Sequence, residues 1–247
     1  MDAVCLAAGR GTRFGELGRY LQKAMYPVGL RPFLDYTVEN LAESGACRPG
    51  VDRLTLIVEH HQEQVRAWFG ARAHGLEVRY LEQPEPRGTG QALTLAAGAA
   101  RDRAPVLCWL ADAYVPTERF RAVADHPARR VLTVAPAPEG ENAAVRVDLH
   151  DGRVVRAYRG AGPLSDVGLW KLDPATMAEL THPGDDGEIR ALPNLQRLLD
   201  RDPAFEIGAV TAPDWWHLGG TAPDPETNLA RVVARVRAAH LLPATDR

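Results

Sequence analysis

The stretch that most narrows the possible folds lies at the very start of the chain. A short apolar run over residues 3–7 ends in Ala8-Gly9-Arg10-Gly11-Thr12-Arg13, and Lys23 follows. Glycines let backbone N–H groups approach phosphate oxygens, and the basic side chains supply compensating charge. The run therefore predicts a phosphate cradle at the carboxyl end of a first strand, with Leu6, Ala7, Ala8, Gly9, Arg10, Gly11 and Thr12 as nucleotide-contacting positions. An ordinary strand-to-helix turn would use glycines in the same way. The spacing, with Gly15 next, is neither the dinucleotide pattern Gly-x-Gly-x-x-Gly nor a P-loop, since no Gly-Lys-Ser/Thr follows.

Behind that turn, strand-like and helix-like runs alternate. Strands are predicted over residues 3–7, 54–59, 76–81 and 106–110, and helices over 33–44, 62–69, 89–100 and 117–124. Repeated strand–helix units imply an α/β fold with a Rossmann-like, mostly parallel or mixed sheet and helices on both faces. Ligands in such folds sit at the carboxyl ends of the strands. After about residue 135 the pattern changes. Strands over 145–149 and 154–158 flank His150-Asp151-Gly152-Arg153, which reads as a hairpin because Asp-Gly favours a tight turn. A strand over 166–172, a helix over 189–200, a strand over 205–210 and a closing helix over 228–241 complete the pattern. One continuous domain with two lobes is expected, about 1–135 for the nucleotide and about 136–247 for an acceptor.

Composition removes other classes. The net charge of −3 gives no reason to expect a nucleic-acid partner. No apolar stretch reaches the ~18–20 residues of a membrane span, and the amino terminus has no basic region ahead of its short apolar run. Cys5 and Cys108 fall within strand-like runs and read as buried thiols, with no Cys/His spacing of a zinc site. A soluble cytoplasmic protein is expected.

Two further segments join the first. Gln83-Pro84-Glu85-Pro86-Arg87-Gly88-Thr89-Gly90-Gln91-Ala92 follows a strand and opens a helix. A glutamine amide offers a donor and an acceptor, so Gln83 can pair with the imide edge of uracil or thymine, with Gly88 and Thr89 beside the base. A proline-rich turn capped by Thr89 is the plainer alternative. Asp112 directly follows the strand over 106–110. There it faces the same cleft, where Mg2+ held by phosphates needs an oxygen ligand.

Taken in order, these segments make the chain resemble the nucleotidyltransferase family that builds sugar nucleotides from sugar-1-phosphates and nucleoside triphosphates, in a minimal single-domain form. Leu6 to Arg13 matches the family's opening motif. Lys23-Ala24-Met25-Tyr26-Pro27-Val28 and Arg31-Pro32-Phe33-Leu34 resemble its lysine block, with Gln22 where a proline is usual. Gln83 with Gly88 to Ala92 resembles the base-recognition block, and Val167-Gly168-Leu169-Trp170 the strand beside the sugar. The resemblance implies in-line attack of an acceptor phosphate oxygen on the α-phosphorus, with pyrophosphate leaving. It assigns Arg13 to the triphosphate and pyrophosphate, Lys23 to the α-phosphate and acceptor phosphate, and Asp112 to Mg2+. UTP or dTTP is the expected donor, with CTP next. The partners are then an NTP and a phosphorylated small molecule, with no nucleic acid or membrane, and a homo-oligomer is compatible.

The acceptor half departs from the family. Asn142-Ala143 stands where a Tyr-Gly pair is usual, and Tyr158-Arg159 where a Glu-Lys pair is usual. Trp215-Trp216-His217-Leu218-Gly219 carries His217 at the position of a second metal ligand, where it is a metal ligand, a phosphate contact or a structural histidine. The predicted acceptor-binding set is Asn142, Tyr158, Arg159, Asp166 and Trp170. Such departures fit an unusual acceptor, including a phosphonate, a cyclitol phosphate or phosphocholine handled by a cytidylyltransferase, or a nucleotide-binding module without turnover.

Overall fold

A computed structural model of the protein describes residues 1–137, 145–213, 216–218 and 225–241. The strands are β1 (Ala3–Ala7), β2 (Pro27–Val28), β3 (Arg31–Pro32), β4 (Arg53–Val58), β5 (Arg72–Ala73), β6 (Leu76–Glu82), β7 (Val106–Leu110), β8 (Ala113–Tyr114), β9 (Val131–Pro136), β10 (Val145–His150), β11 (Arg153–Arg159), β12 (Leu164–Leu172), β13 (Gly208–Thr211) and β14 (Trp216–His217). The helices are α1 (Phe33–Ser44), α2 (Gln62–Phe69), α3 (Thr89–Gly98), α4 (Thr117–Asp125), α5 (Pro174–Ala178), α6 (Ala191–Arg201) and α7 (Pro225–Leu241).

Ten strands form one sheet in the order β10-β11-β13-β9-β12-β7-β1-β4-β6-β5. β7, β1, β4 and β6 run parallel, as the strand–helix alternation predicts. β12 then enters antiparallel between β7 and β9, and β10 pairs antiparallel with β11. The sheet is therefore mixed rather than mostly parallel. Hairpin connections in the later half need no crossover helix, so the strand direction alternates there.

The pleat sends alternate side chains of β1 to opposite faces. Ala3, Cys5 and Ala7 join Leu34, Val38 and Leu41 of α1, Val65 and Phe69 of α2, and Phe120 and Val123 of α4. Val4 and Ala8 join Ala92, Leu93 and Ala96 of α3 and Leu195 and Leu198 of α6 on the other face. Parallel strands covered on both sides read as continuous apolar runs, which is why β1 and β7 stand out in the sequence. The closing helix lays Val232 and Val236 on Phe33, Tyr36 and Tyr114. Cys5, Cys47 and Cys108 are buried free thiols, and among the described residues no helix is long and apolar enough to cross a membrane.

Several boundaries differ from expectation. The strand placed at 205–210 begins at Gly208, the helix placed at 189–200 begins at Ala191, and the helix from Thr89 ends at Gly98. β9 was not predicted. In β12, the register shifts between Asp166 and Trp170. Gly168 lies there at φ +78, and a Cβ on it would come within 2.6 Å of Leu110 Cδ1, so β12 can lie against β7 only with glycine at this position.

Candidate active site

The loops leaving β1, β6 and β7 emerge at the carboxyl edge of the parallel strands and enclose a cleft of about 480 Å³. Leu6, Ala8, Gly9, Arg10, Gly11, Lys23, Gln83, Gly88, Thr89, Asp112 and His217 line it together. A Cβ on Gly9 would meet nothing within 4 Å, so no contact inside the protein requires glycine there. A backbone left bare toward a cleft suits a close-lying phosphate. Ala7 is buried at 1 % exposure and contributes only its carbonyl oxygen, which accepts from Gln22 Nε2 at 2.8 Å. Thr12 and Arg13 begin a 3-10 segment, Thr12–Arg19. Their side chains, and the whole of Asn142, lie outside the described residues.

At the floor of the cleft three charged or titratable groups meet. Lys23 Nζ donates to Asp112 Oδ2 at 2.5 Å, and His217 Nε2 lies 3.2 Å from Asp112 Oδ1. The lysine and aspartate side chains retain only 12% and 23% exposure. Burial pushes the Asp112 carboxyl toward its neutral form, but attraction and hydrogen bonds from His217 and Lys23 outweigh it and hold the group well below the usual carboxylate range. Under it, burial first and the Asp112 charge second push the Cys5 thiol up. His217 reaches this place because β14 pairs antiparallel with β8, setting His217 opposite Ala113, and Leu218 N–H donates to the Asp112 carbonyl at 2.8 Å.

Lys23 is aimed by a residue that departs from the family pattern. Gln22 is 2% exposed. Its Nε2 donates to Ala7 O, its Oε1 accepts from Ala24 N–H at 2.5 Å, and its backbone N–H donates to Gln64 Oε1 at 2.9 Å. These bonds tie the lysine turn to the end of β1 and to α2, where a proline would have stiffened the backbone instead.

The loop after β6 is closed from above by the segment before α6. Gly90 N–H donates to Ile189 O at 2.7 Å, and Ile189 N–H to Arg87 O at 2.5 Å. A Cβ on Gly88, at φ +106, would stand 2.7 Å from Ile189 O. Thr89 Oγ1 accepts from Ala191 N–H at 2.9 Å and so fastens the start of α6. Glu188, from the same segment, also lines the cleft and pairs with Arg190 at 2.6 Å. The amide of Gln83 differs from expectation. Its NH2 donates to Gly88 O at 3.1 Å and to Gln91 Oε1 at 2.8 Å. The donor required for a uracil or thymine O4 is therefore engaged within the protein.

Four predicted acceptor residues do not line this cleft. Trp170 is 1% exposed in the core beneath α5 and α6, and its Nε1 donates to Asp166 Oδ1 at 2.8 Å. Strand β12 is covered on both faces, so its ring has no path to a ligand, and the acceptor role expected for Trp170 is corrected. Burial pushes the Asp166 carboxyl up to about 7, against the pull of the Trp170 and Gly168 N–H groups. Tyr158 Oη donates to Asp148 Oδ1 at 3.1 Å, and the Arg156 guanidinium lies 4.5 Å from its ring centroid. Arg159 ends β11, exposed. Glu188, Ile189, Gln22 and Gln91 were missed. Only Gln22 carried a sequence signal, its substitution for proline.

A hard divalent cation takes oxygen ligands, and Mg2+ commonly uses one or two carboxylates together with substrate phosphates. Asp112 suits that arrangement. Among the described residues no group of three His, Cys, Asp or Glu side chains is placed to hold a metal by itself. The imidazole of His217 is a softer donor than Mg2+ prefers, and it faces the carboxylate as a hydrogen-bond partner.

Comparison with known proteins gives concordant matches. A family model described as MobA-like NTP transferase domain matches residues 3–183. D-glycero-alpha-D-manno-heptose 1-phosphate guanylyltransferase of Aneurinibacillus thermoaerophilus is 33% identical over 39% of this chain and 40% of its own length. Glucose-1-phosphate thymidylyltransferase of Streptomyces antibioticus is 28% identical over 91% of this chain and 64% of its own length. The chain thus spans less than two thirds of either relative. A solved UDP-glucose pyrophosphorylase from Acinetobacter baumanii shares the fold, with TM-score 0.75 over 97% of this chain and 94% of that one at 18% identity.

Proposed function

This chain belongs to the MobA-like NTP transferase domain family, and from that premise we propose that it transfers a nucleotidyl group from a nucleoside triphosphate to a sugar-1-phosphate, releasing pyrophosphate. The observation that carries the proposal is the convergence of Lys23, Asp112 and His217 beneath the glycine-rich loop in one cleft. The activities named for the curated relatives support the same chemistry.

An oxygen of the acceptor phosphate attacks the α-phosphorus, and the bond to the pyrophosphate oxygen breaks on the opposite side. Such displacement depends on positioning and charge neutralisation rather than on a covalent nucleophile. The backbone N–H groups around Gly9 to Gly11 cradle the leaving pyrophosphate, with Arg10 and Arg13 supplying positive charge. Asp112 holds Mg2+, which when bound neutralises charge on the phosphates. Lys23 then releases Asp112 Oδ2 and turns its ammonium to the α-phosphate and the incoming acceptor phosphate. His217 keeps the carboxylate oriented through Oδ1. Gln22 fixes the lysine turn throughout, so the ammonium moves on a rigid base.

The test is pyrophosphate release from a matrix of nucleoside triphosphates and sugar-1-phosphates, with Mg2+ and with a chelator. Release from at least one pair, lost with chelator, is expected. Absence of release from every pair, together with absence of triphosphate binding, would refute the proposal.

A further inference from the structure

The orientation of the Gln83 amide is fixed by backbone groups that cannot exchange roles. Arg87 N–H donates to Gln91 Oε1 at 2.7 Å. A backbone N–H can only donate, so the Gln91 atom at that place is its oxygen. Gln83 meets the same oxygen at 2.8 Å, which requires its NH2 there. The carbonyl of Gly88, which can only accept, holds that NH2 at 3.1 Å. Turning the amide over would set Gln83 Oε1 against two acceptors and forfeit both bonds.

What remains for a ligand is Oε1. Gln83 is 3% exposed, lines the cleft, and its Oε1 has no hydrogen-bond partner among the described residues. The neighbouring Gly88 carbonyl adds a second acceptor and no donor. An edge of this kind repels the two keto oxygens that flank N3–H in uracil and thymine. Cytosine and adenine bring one amino group beside a ring acceptor. Guanine alone among the common bases brings adjacent donors, N1–H and N2–H2, on one edge.

We propose that the base site selects guanine, with Gln83 Oε1 as the discriminating acceptor and Gln91 as the residue that fixes its polarity. The inference rests on the nucleotidyltransferase reading of the cleft.

The experiment is calorimetric titration of the full chain with GTP, ITP, CTP, ATP, UTP and dTTP, each with Mg2+ and without acceptor. GTP should bind at least about tenfold more tightly than UTP or dTTP, with ITP, which keeps N1–H but lacks the 2-amino group, in between. In Gln91→Met the oxygen that fixes the amide is gone while the side chain keeps its length. Gln83 can then turn, and the GTP-to-UTP preference should fall about tenfold, chiefly through tighter UTP binding. Tightest binding of UTP, dTTP, CTP or ATP overturns the inference, as does an unchanged preference in Gln91→Met, while leaving the nucleotidyltransferase reading intact. Binding of no triphosphate at all overturns that reading and this inference with it.

Discussion

The parallel and antiparallel halves of the sheet use their polar side chains in opposite ways. In the parallel half, β1, β6 and β7 all end on one edge, and Lys23, Gln83 and Asp112 converge there on a single cleft. In the antiparallel half the polar groups turn toward one another. Trp170 donates to Asp166, Tyr158 to Asp148, and Arg146 Nε to Gly160 O at 3.1 Å, with its guanidinium also bonded to Ser165. Strand direction accounts for the difference. Parallel strands deliver every following loop to the same edge, whereas hairpins return the chain and distribute loops to both ends. Convergent chemistry is therefore to be expected in the first half and self-satisfied polar pairs in the second.

The largest expected effect sets the halves against each other. Lys23→Met and Asp112→Asn should each lower kcat by about 10²–10³-fold, the range found for removal of a single transition-state electrostatic group. Trp170→Phe keeps the ring and removes only the bond to Asp166. It should leave kcat/KM within about threefold and cost about 1–2 kcal/mol of stability, from the orphaned buried acceptor. Steady-state pyrophosphate release and denaturant melts of the three variants decide this. A Trp170→Phe enzyme with intact stability but a hundredfold loss in kcat/KM would return that ring to the acceptor site and erase the contrast.

The glycine beneath Ile189 should come next. Gly88→Ala places a methyl 2.7 Å from Ile189 O at a backbone angle that L-residues avoid. A loss of about 2–3 kcal/mol is expected, from strain and displaced backbone bonds together. Nucleotide binding should weaken more than the catalytic step, because the displaced loop carries Gln83 and Thr89. Unchanged melting would mean that the segment from Glu188 to Arg190 moves aside freely.

Much of the parallel half was legible because its signals are local. The bounds of β1, α1, α2 and β7 coincide with the runs read from periodicity. The residues that aim the chemistry were less visible. Gln22 acts through Ala7, 15 positions away, and Gln64, 42 positions away, and no spacing rule reports such pairings. Gln91 escaped notice because a glutamine early in a helix looks like any solvated side chain. In the antiparallel half, β9 is an unbroken apolar run that matches no amphipathic period, and Trp170 looked ligand-facing only because the strand was not known to be covered on both sides. The reversed polarity of Gln83 lay beyond the sequence, since it depends on which backbone atoms meet the amide.

A smaller effect tests whether Gln22 substitutes for the rigidity of proline. Gln22→Ala leaves Ala7 O without its side-chain donor and Ala24 N–H without its acceptor at a site 2% exposed. A cost of about 1–2 kcal/mol is expected. If the role is to aim Lys23, kcat should fall with little change in nucleotide KM, and Gln22→Pro should recover part of kcat. Equal losses in Gln22→Ala and Gln22→Pro would limit Gln22 to stability.

The smallest effect probes the antiparallel half through pH. The Asp166 carboxyl is pushed up to about 7 from an ordinary 3.8, mainly by burial. Between roughly pH 4 and pH 7 the unfolded chain has released this proton while the folded chain still holds it. The unfolded state then binds fewer protons, so this group makes stability fall as pH rises through the window and contributes a constant penalty above it. Asn in its place accepts from Trp170 Nε1 and has no proton to lose. Asp166→Asn should therefore match the parent near pH 4 and gain relative to it up to about pH 7, where partial exposure and the weaker neutral hydrogen bond limit the gain to about 1–2 kcal/mol. Above pH 7 the difference should be level. Denaturant melts of both proteins from pH 4 to pH 8 read this directly, because groups common to the two cancel in the difference. A flat difference across the range would place Asp166 in contact with water. The antiparallel half would then hold an open polar site after all, and the division between a converging half and a self-satisfied half would fail at its most buried acid.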